Sequence, residues 1–241
     1  MTRQWDSVAS FAGQALGLSL KTLTDRSNFA AYWSDANEIE TLWKYRNPSI
    51  PQPQTYWNLM GVELYAPSHK LVSQFDPGGN DIRSSVYFTK NVTTPDTFMI
   101  NKYPGNQVSP EDNDLKLVRV AELYLDRAEA YAHQPANLSQ AGVILDSLRA
   151  ARIKNYTAVT TFADTTTAIQ TVLNERLKEL CFEGFRFFDL KRNGLPVTRD
   201  PSDVQSFPQA LTLSSTDHHF ALPIPEHEIL ANPNMKQNPG Y

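Results

Sequence analysis

Three glutamates, Glu175, Glu179 and Glu183, recur at i, i+4 and i+8. On a helix that spacing lines carboxylates along one face. Paired carboxylates perform glycoside hydrolysis, roughly 5–5.5 Å apart in retaining enzymes and roughly 6.5–9.5 Å apart in inverting ones. Residues one turn apart reach that range. Their neighbours, however, are Arg176, Lys178 and Arg186. Cations keep glutamates ionised, whereas general acid work needs a raised pKa. The line therefore reads as structural ion pairing, and no catalytic residue is assigned.

Two other groups could bind. His218 and His219, with His227 and Glu228, have metal-ligand side chains, but H-E-I-L-A at 227–231 lacks the second histidine of the H-E-x-x-H zinc pattern. No metal or other cofactor is assigned. Tyr56, Trp57 and Asn58 follow a loop stiffened by Pro48, Pro51 and Pro53. Flat aromatics stack on the apolar C–H faces of sugar rings, and an amide serves their hydroxyls. Trp57, Tyr56 and Asn58, with Trp33, are the candidate ligand-binding residues, expected as an exposed aromatic patch. Trp5 and Trp43 fit helix and strand cores.

The element that organises the chain runs from Asp164 to Arg192. Asp164 is an N-cap, and Ile169, Val172, Leu173, Leu177 and Leu180 form an apolar face. Arg176 falls inside that face. A guanidinium stays charged, so Arg176 is predicted to be buried and paired with Glu122 or Glu129. Those two lie on a helix predicted over Leu115–His133, and a second follows over Leu138–Ile153. A leading helix over residues 3–17 carries Trp5, Ala9 and Ala12 on one face, which suggests a packing partner upstream. Glu38–Tyr45 reads as a short strand, and residues 86–103 hold two edge strands. The tail from Leu222 to Tyr241 reads as a proline-rich strap, with Leu222, Ile224, Ile229 and Tyr241 filling apolar grooves.

A chain of 241 residues with 41% hydrophobic and 20% charged residues is globular. Its net charge of -4 argues against nucleic acid as a partner. The lone Cys181 permits no intrachain disulfide and reads as a packed thiol. No apolar run approaches the ~20 residues that span a bilayer.

The stretch E-R-L-K-E-L-C-F-E-G-F-R-F-F-D-L-K-R, residues 175–192, resembles the signature near the C-terminus of the SusD/RagB family. A second signature, Leu222-Pro-Ile-Pro-Glu-His-Glu-Ile followed by Asn232-Pro and Gln237-Asn-Pro-Gly-Tyr241, stands in the family's order. The resemblance implies a mainly α, TPR-like helical scaffold with long irregular loops and a few short strands. Ala128, Tyr131, Ala141 and Leu145 sit close to tetratricopeptide positions, in keeping with it. It implies a surface-exposed lipoprotein of the outer membrane that captures oligosaccharides or polysaccharides, without catalysis, for a SusC-like TonB-dependent transporter.

The chain would be the C-terminal part of such a protein, its signal peptide and anchor absent. Residues 1–20 would be the leading helix and 21–114 the variable ligand-facing loops. Residues 115–192 would be the helical core and 193–241 the loop and C-terminal strap. The alternatives are a TPR-like protein-interaction scaffold with no glycan site, and a glycoside hydrolase.

Overall fold

The structure, a computed structural model, describes residues 3–46, 65–76, 78–90, 97–106, 112–158, 161–204 and 211–241, with the backbone of 58–59 and 62–63. The chain forms two units, one running to Glu183 and one from Gly184 to Tyr241. This division falls inside the Asp164–Arg192 stretch.

The first unit begins with α1 (Trp5–Leu18) and α2 (Phe29–Trp33), then β1 (Thr41–Tyr45), β2 (Asn58–Leu59) and β3 (Val62–Glu63). Next come α3 (His69–Val72), α4 (Ile82–Tyr87), β4 (Phe88–Lys90) and β5 (Phe98–Ile100). It ends with β6 (Leu115–Arg119), α5 (Val120–Ala132), α6 (Leu138–Arg152) and α7 (Thr165–Glu179). Helices α1, α6 and α7 all pack on α5. The composition of α5 permits this: Ala121, Ala128, Ala130 and Ala132 are fully buried, and small side chains let neighbouring backbones approach. Trp5 stacks on His133 with ring centroids 3.8 Å apart, fixing the start of α1 to the end of α5.

Local sequence explains the helix ends. Asp164 accepts from the Thr167 amide and caps α7. Asp81 accepts from the Arg83 amide and caps α4. Helix α7 stops at Glu179, earlier than the apolar pattern predicts. The following turn holds Phe182 at φ +65°, a conformation costly for a bulky residue. Lys102 Nζ secures it by donating to the carbonyls of Glu179 and Cys181, both at 2.8 Å.

One predicted element changes type. Leu115–Arg119 is a strand, not the first turn of a helix, because it pairs antiparallel with β1. The register sets Thr41 against Arg119, Trp43 against Val118, Lys44 against Lys116 and Tyr45 against Leu115. The edge strands predicted over 86–103 are present as the antiparallel pair β4–β5.

The second unit holds α8 (Arg186–Asn193), β7 (Val197–Thr198) paired with β8 (Thr212–Leu213), a 3-10 turn at His218–Phe220, and α9 (Glu226–Ala231). Gly194, at φ +65°, ends α8 in the left-handed conformation that glycine adopts freely. The tail is tied to itself. Gln237 brackets Ile224, accepting from its amide at 2.8 Å and donating to its carbonyl at 2.9 Å. Tyr241 Oη donates to the Ala221 carbonyl at 2.9 Å. Leu222 is 79% exposed and fills no groove, contrary to expectation.

Candidate functional site

Strands β1 and β6 invert the usual polarity of a half-buried sheet. Along β6, Lys116 and Arg119 are buried and Leu115 and Leu117 exposed, a pattern whose alternation is broken where the β1–β6 register shifts. On β1, Trp43 is 64% exposed and Tyr45 58% exposed, while Glu40, just before the strand, is fully buried. Charge faces in and apolar surface faces out. Trp43 was expected in the strand core; the structure corrects this, because the inner face is taken by ions.

Those ions form a knot. Glu179 meets Arg83 at 3.1 Å, Arg119 at 3.1 Å and Arg152 at 3.0 Å. Glu40 meets Arg119 at 2.7 Å and Arg152 at 2.8 Å. Glu183 meets Lys102 at 2.6 Å and Arg119 at 2.8 Å. Glu175 meets Arg149 at 2.8 Å and lies 2.7 Å from Arg83 Nη2. That Nη2 donates to Asp81, so its approach to Glu175 is a charge contact rather than an aligned hydrogen bond.

Burial alone would push these carboxyls up. The arginines overcome it, so Glu175 is held at about 2, through Arg83, Lys178 and Arg149. Glu179 lies well below the carboxylate range through Arg152, Arg119 and Arg83, and Glu183 is also lowered, through Arg119 and Lys102. A carboxylate held ionised cannot act as the general acid of glycoside hydrolysis. Glu122 is pushed the other way, up to about 7, by burial and then by Asp126.

Arg176 is 2% exposed and lies 3.4 Å from Glu129, as its place in the apolar face predicts. Its shorter contact, 2.7 Å, is to Asp126, a partner the sequence did not single out. Asp126 and Glu129 are three apart on α5, so both reach one guanidinium.

Trp33, expected in the exposed aromatic patch, is fully buried. It is the hub of the aromatic core, edge-on to Tyr32, Tyr87 and Tyr103 at 5.4, 5.6 and 5.4 Å. Lys102 lies 4.6 Å from its ring and Arg119 5.2 Å, so it shields knot cations with its π-face. It presents no surface to a ligand. Tyr56 and Trp57 lie outside the described residues; Asn58 opens β2, and its side chain lies outside them too.

In the second unit Asp217, His218 and His219 bring their potential ligand atoms within 4.8 Å of one another. His227 and Glu228 are not in that group and pair with each other at 3.2 Å. The histidines have a packing role. Tyr241 sits edge-on to both rings at 5.0 and 5.6 Å, and a Cβ on Gly240 would meet the His218 ring at 2.6 Å. They clasp the end of the chain.

The model of the SusD family matches residues 83–241. A solved SusD superfamily protein from Bacteroides thetaiotaomicron VPI-5482 superposes with a TM-score of 0.79 at 26% identity, over 98% of this chain and 60% of that one. A SusD superfamily protein from Bacteroides vulgatus ATCC 8482 gives 0.78 at 24% identity, over 98% and 55%. A SusD-like carbohydrate binding protein from the same strain gives 0.76 at 21% identity, over 97% and 56%. The chain thus spans at most 60% of the length of these relatives. Their shared architecture is the mainly α, TPR-like scaffold with few short strands. No protein of curated function matches the chain. Among the described residues no helix is long and apolar enough to cross a membrane.

Proposed function

This chain belongs to the SusD family, and on that footing we propose that it captures oligosaccharides or polysaccharides at the outer-membrane surface without altering them. The proposal includes a place in a surface lipoprotein and delivery to a SusC-like TonB-dependent transporter. The observation that carries the binding role is the exposed aromatic pair Trp43 and Tyr45. They stand two residues apart on one face of a strand, so they are neighbours roughly 6.6 Å apart along it. Each offers an apolar ring face to the C–H face of a sugar. Arg46, 3.8 Å from Glu38, supplies polar groups beside them. The ion knot holds the strand pair rigid from behind, which limits the entropy lost on binding. Tyr56, Trp57 and Asn58 are proposed as ligand-binding residues in their own right; Trp33, being buried, is not.

Calorimetric titration against a panel of neutral oligosaccharides tests the proposal. The joint change Trp43→Ala and Tyr45→Ala should weaken binding at least roughly tenfold. Unchanged affinity, or release of new reducing ends from any glycan, would overturn it. The exposed Phe11 and Leu18 on α1, with Leu20 just beyond it, favour a second reading, a TPR-like scaffold that grips protein. On that reading no glycan binds.

A further inference from the structure

Between α1 and α5 lies an open cleft of about 510 Å³, within the range of small-molecule sites. Arg127 is part of its lining. Among the described residues no acidic side chain pairs with this guanidinium. Its Nε is buried without a hydrogen-bond partner, and its one side-chain bond runs from Nη2 to Tyr131 Oη at 3.3 Å. The group lies over the Tyr131 ring at 5.5 Å and against bare backbone at Gly13, where a Cβ would sit 3.6 Å from Cζ. It is held in place, charged and unneutralised. Elsewhere in this unit the buried arginines Arg83, Arg119, Arg152 and Arg176 all meet carboxylates. The half-buried Arg127 differs from them, and from Arg26, whose guanidinium donates to the Asn80 and Arg152 carbonyls.

We infer that this cleft is a separate binding site for a sugar residue that carries a carboxylate. The arginine asks for an anion, and its planar fork suits a carboxylate. A bare anion would leave the rest of the lining idle. Gln14, Gln134 and Asn137 bring amides, each with donor and acceptor atoms, and vicinal hydroxyls both donate and accept. These amides are already ordered. Gln14 donates to Ser10 at 3.0 Å, and Gln134 donates to Asp6 at 2.8 Å while accepting from Asn137. Asp6 adds an acceptor at the rim. The site uses none of the exposed aromatics of β1, so it stands or falls apart from the capture proposal.

The test is NMR titration of the whole chain with sodium glucuronate, glucose and acetate, following the side-chain amides of Gln14, Gln134 and Asn137. Glucuronate should shift these signals saturably, with glucose and acetate each at least roughly tenfold weaker. Arg127→Gln should erase the advantage over glucose, and Arg127→Lys should keep only part of it. No saturable shift with glucuronate, acetate as strong as glucuronate, or an advantage that survives Arg127→Gln would each overturn the inference. Should Arg127→Gln fail to fold, the exposed Gln14→Ala decides: weakened glucuronate binding supports the site, and full retention refutes it.

Discussion

Glu40 and Arg152 are 112 positions apart in sequence and meet at 2.8 Å with neither side chain exposed. Glu40 also takes Arg119 at 2.7 Å and the Thr24 amide at 3.0 Å. One carboxylate thus joins the segment before β1, the end of β6 and the end of α6. Removing it takes one carboxylate from two buried guanidiniums that cannot deprotonate, leaving Glu179 to serve both and Glu183 to serve Arg119. Glu40→Ala should therefore destabilise the first unit by about 3–5 kcal/mol. Urea denaturation followed by circular dichroism measures this.

Acid should act on the same knot. The folded-state pKa of Glu175 is depressed to about 2 from an ordinary 4.5, and those of Glu179 and Glu183 are depressed too. A depressed carboxyl contributes stability that is present above its unfolded pKa and lost as pH falls through the folded one. The loss should thus begin near 4.5 and deepen toward about 2, with about 3 kcal/mol from Glu175 alone. Urea midpoints at a series of pH values between those limits check it; a flat profile would contradict it.

Glu122 should show the opposite sign. Its carboxyl is raised from 4.5 to about 7, first by burial and then by Asp126. A raised carboxyl favours the fold while protonated, and that contribution is lost as pH rises through about 7. Glu122→Gln keeps the neutral form at every pH. It should raise stability by about 1–2 kcal/mol at about pH 8, a figure discounted for partial exposure, and leave it unchanged at about pH 4. Paired thermal melts at the two values give the comparison.

The residues explain which features were legible in advance. Helices α6 and α7 follow from period 3.6, and the burial of Arg176 follows from its place among Val172, Leu173 and Leu180. Leu-Lys-Leu-Val-Arg at 115–119 is too short to separate a strand from a helical turn, and its pairing partner β1 lies about seventy residues away. The two tryptophans were exchanged for a related reason. Burial was expected to follow hydropathy, but the inner face of β1–β6 is chosen by Glu179, Glu183 and Arg152, which are remote in sequence. Once ions occupy that face, Trp43 has only the outside. Nothing local marks Trp33 as the ring against which Lys102 and Arg119 are packed.

That exchange yields the last prediction. Trp33→Ala removes the hub of the aromatic core and the π-face beside Lys102 and Arg119, so it leaves a cavity and two cations less shielded. It should cost about 3–5 kcal/mol. Trp43→Ala removes a ring that is 64% exposed, and should change stability by less than about 0.5 kcal/mol. On ligand binding the order reverses. Trp43→Ala should weaken oligosaccharide affinity, whereas the Trp33 variant should bind as the parent does in whatever fraction stays folded. Chemical denaturation and calorimetric titration on the two variants together make the check. A Trp33 variant of parental stability with lost affinity would return that residue to the ligand site and remove Trp43 from it.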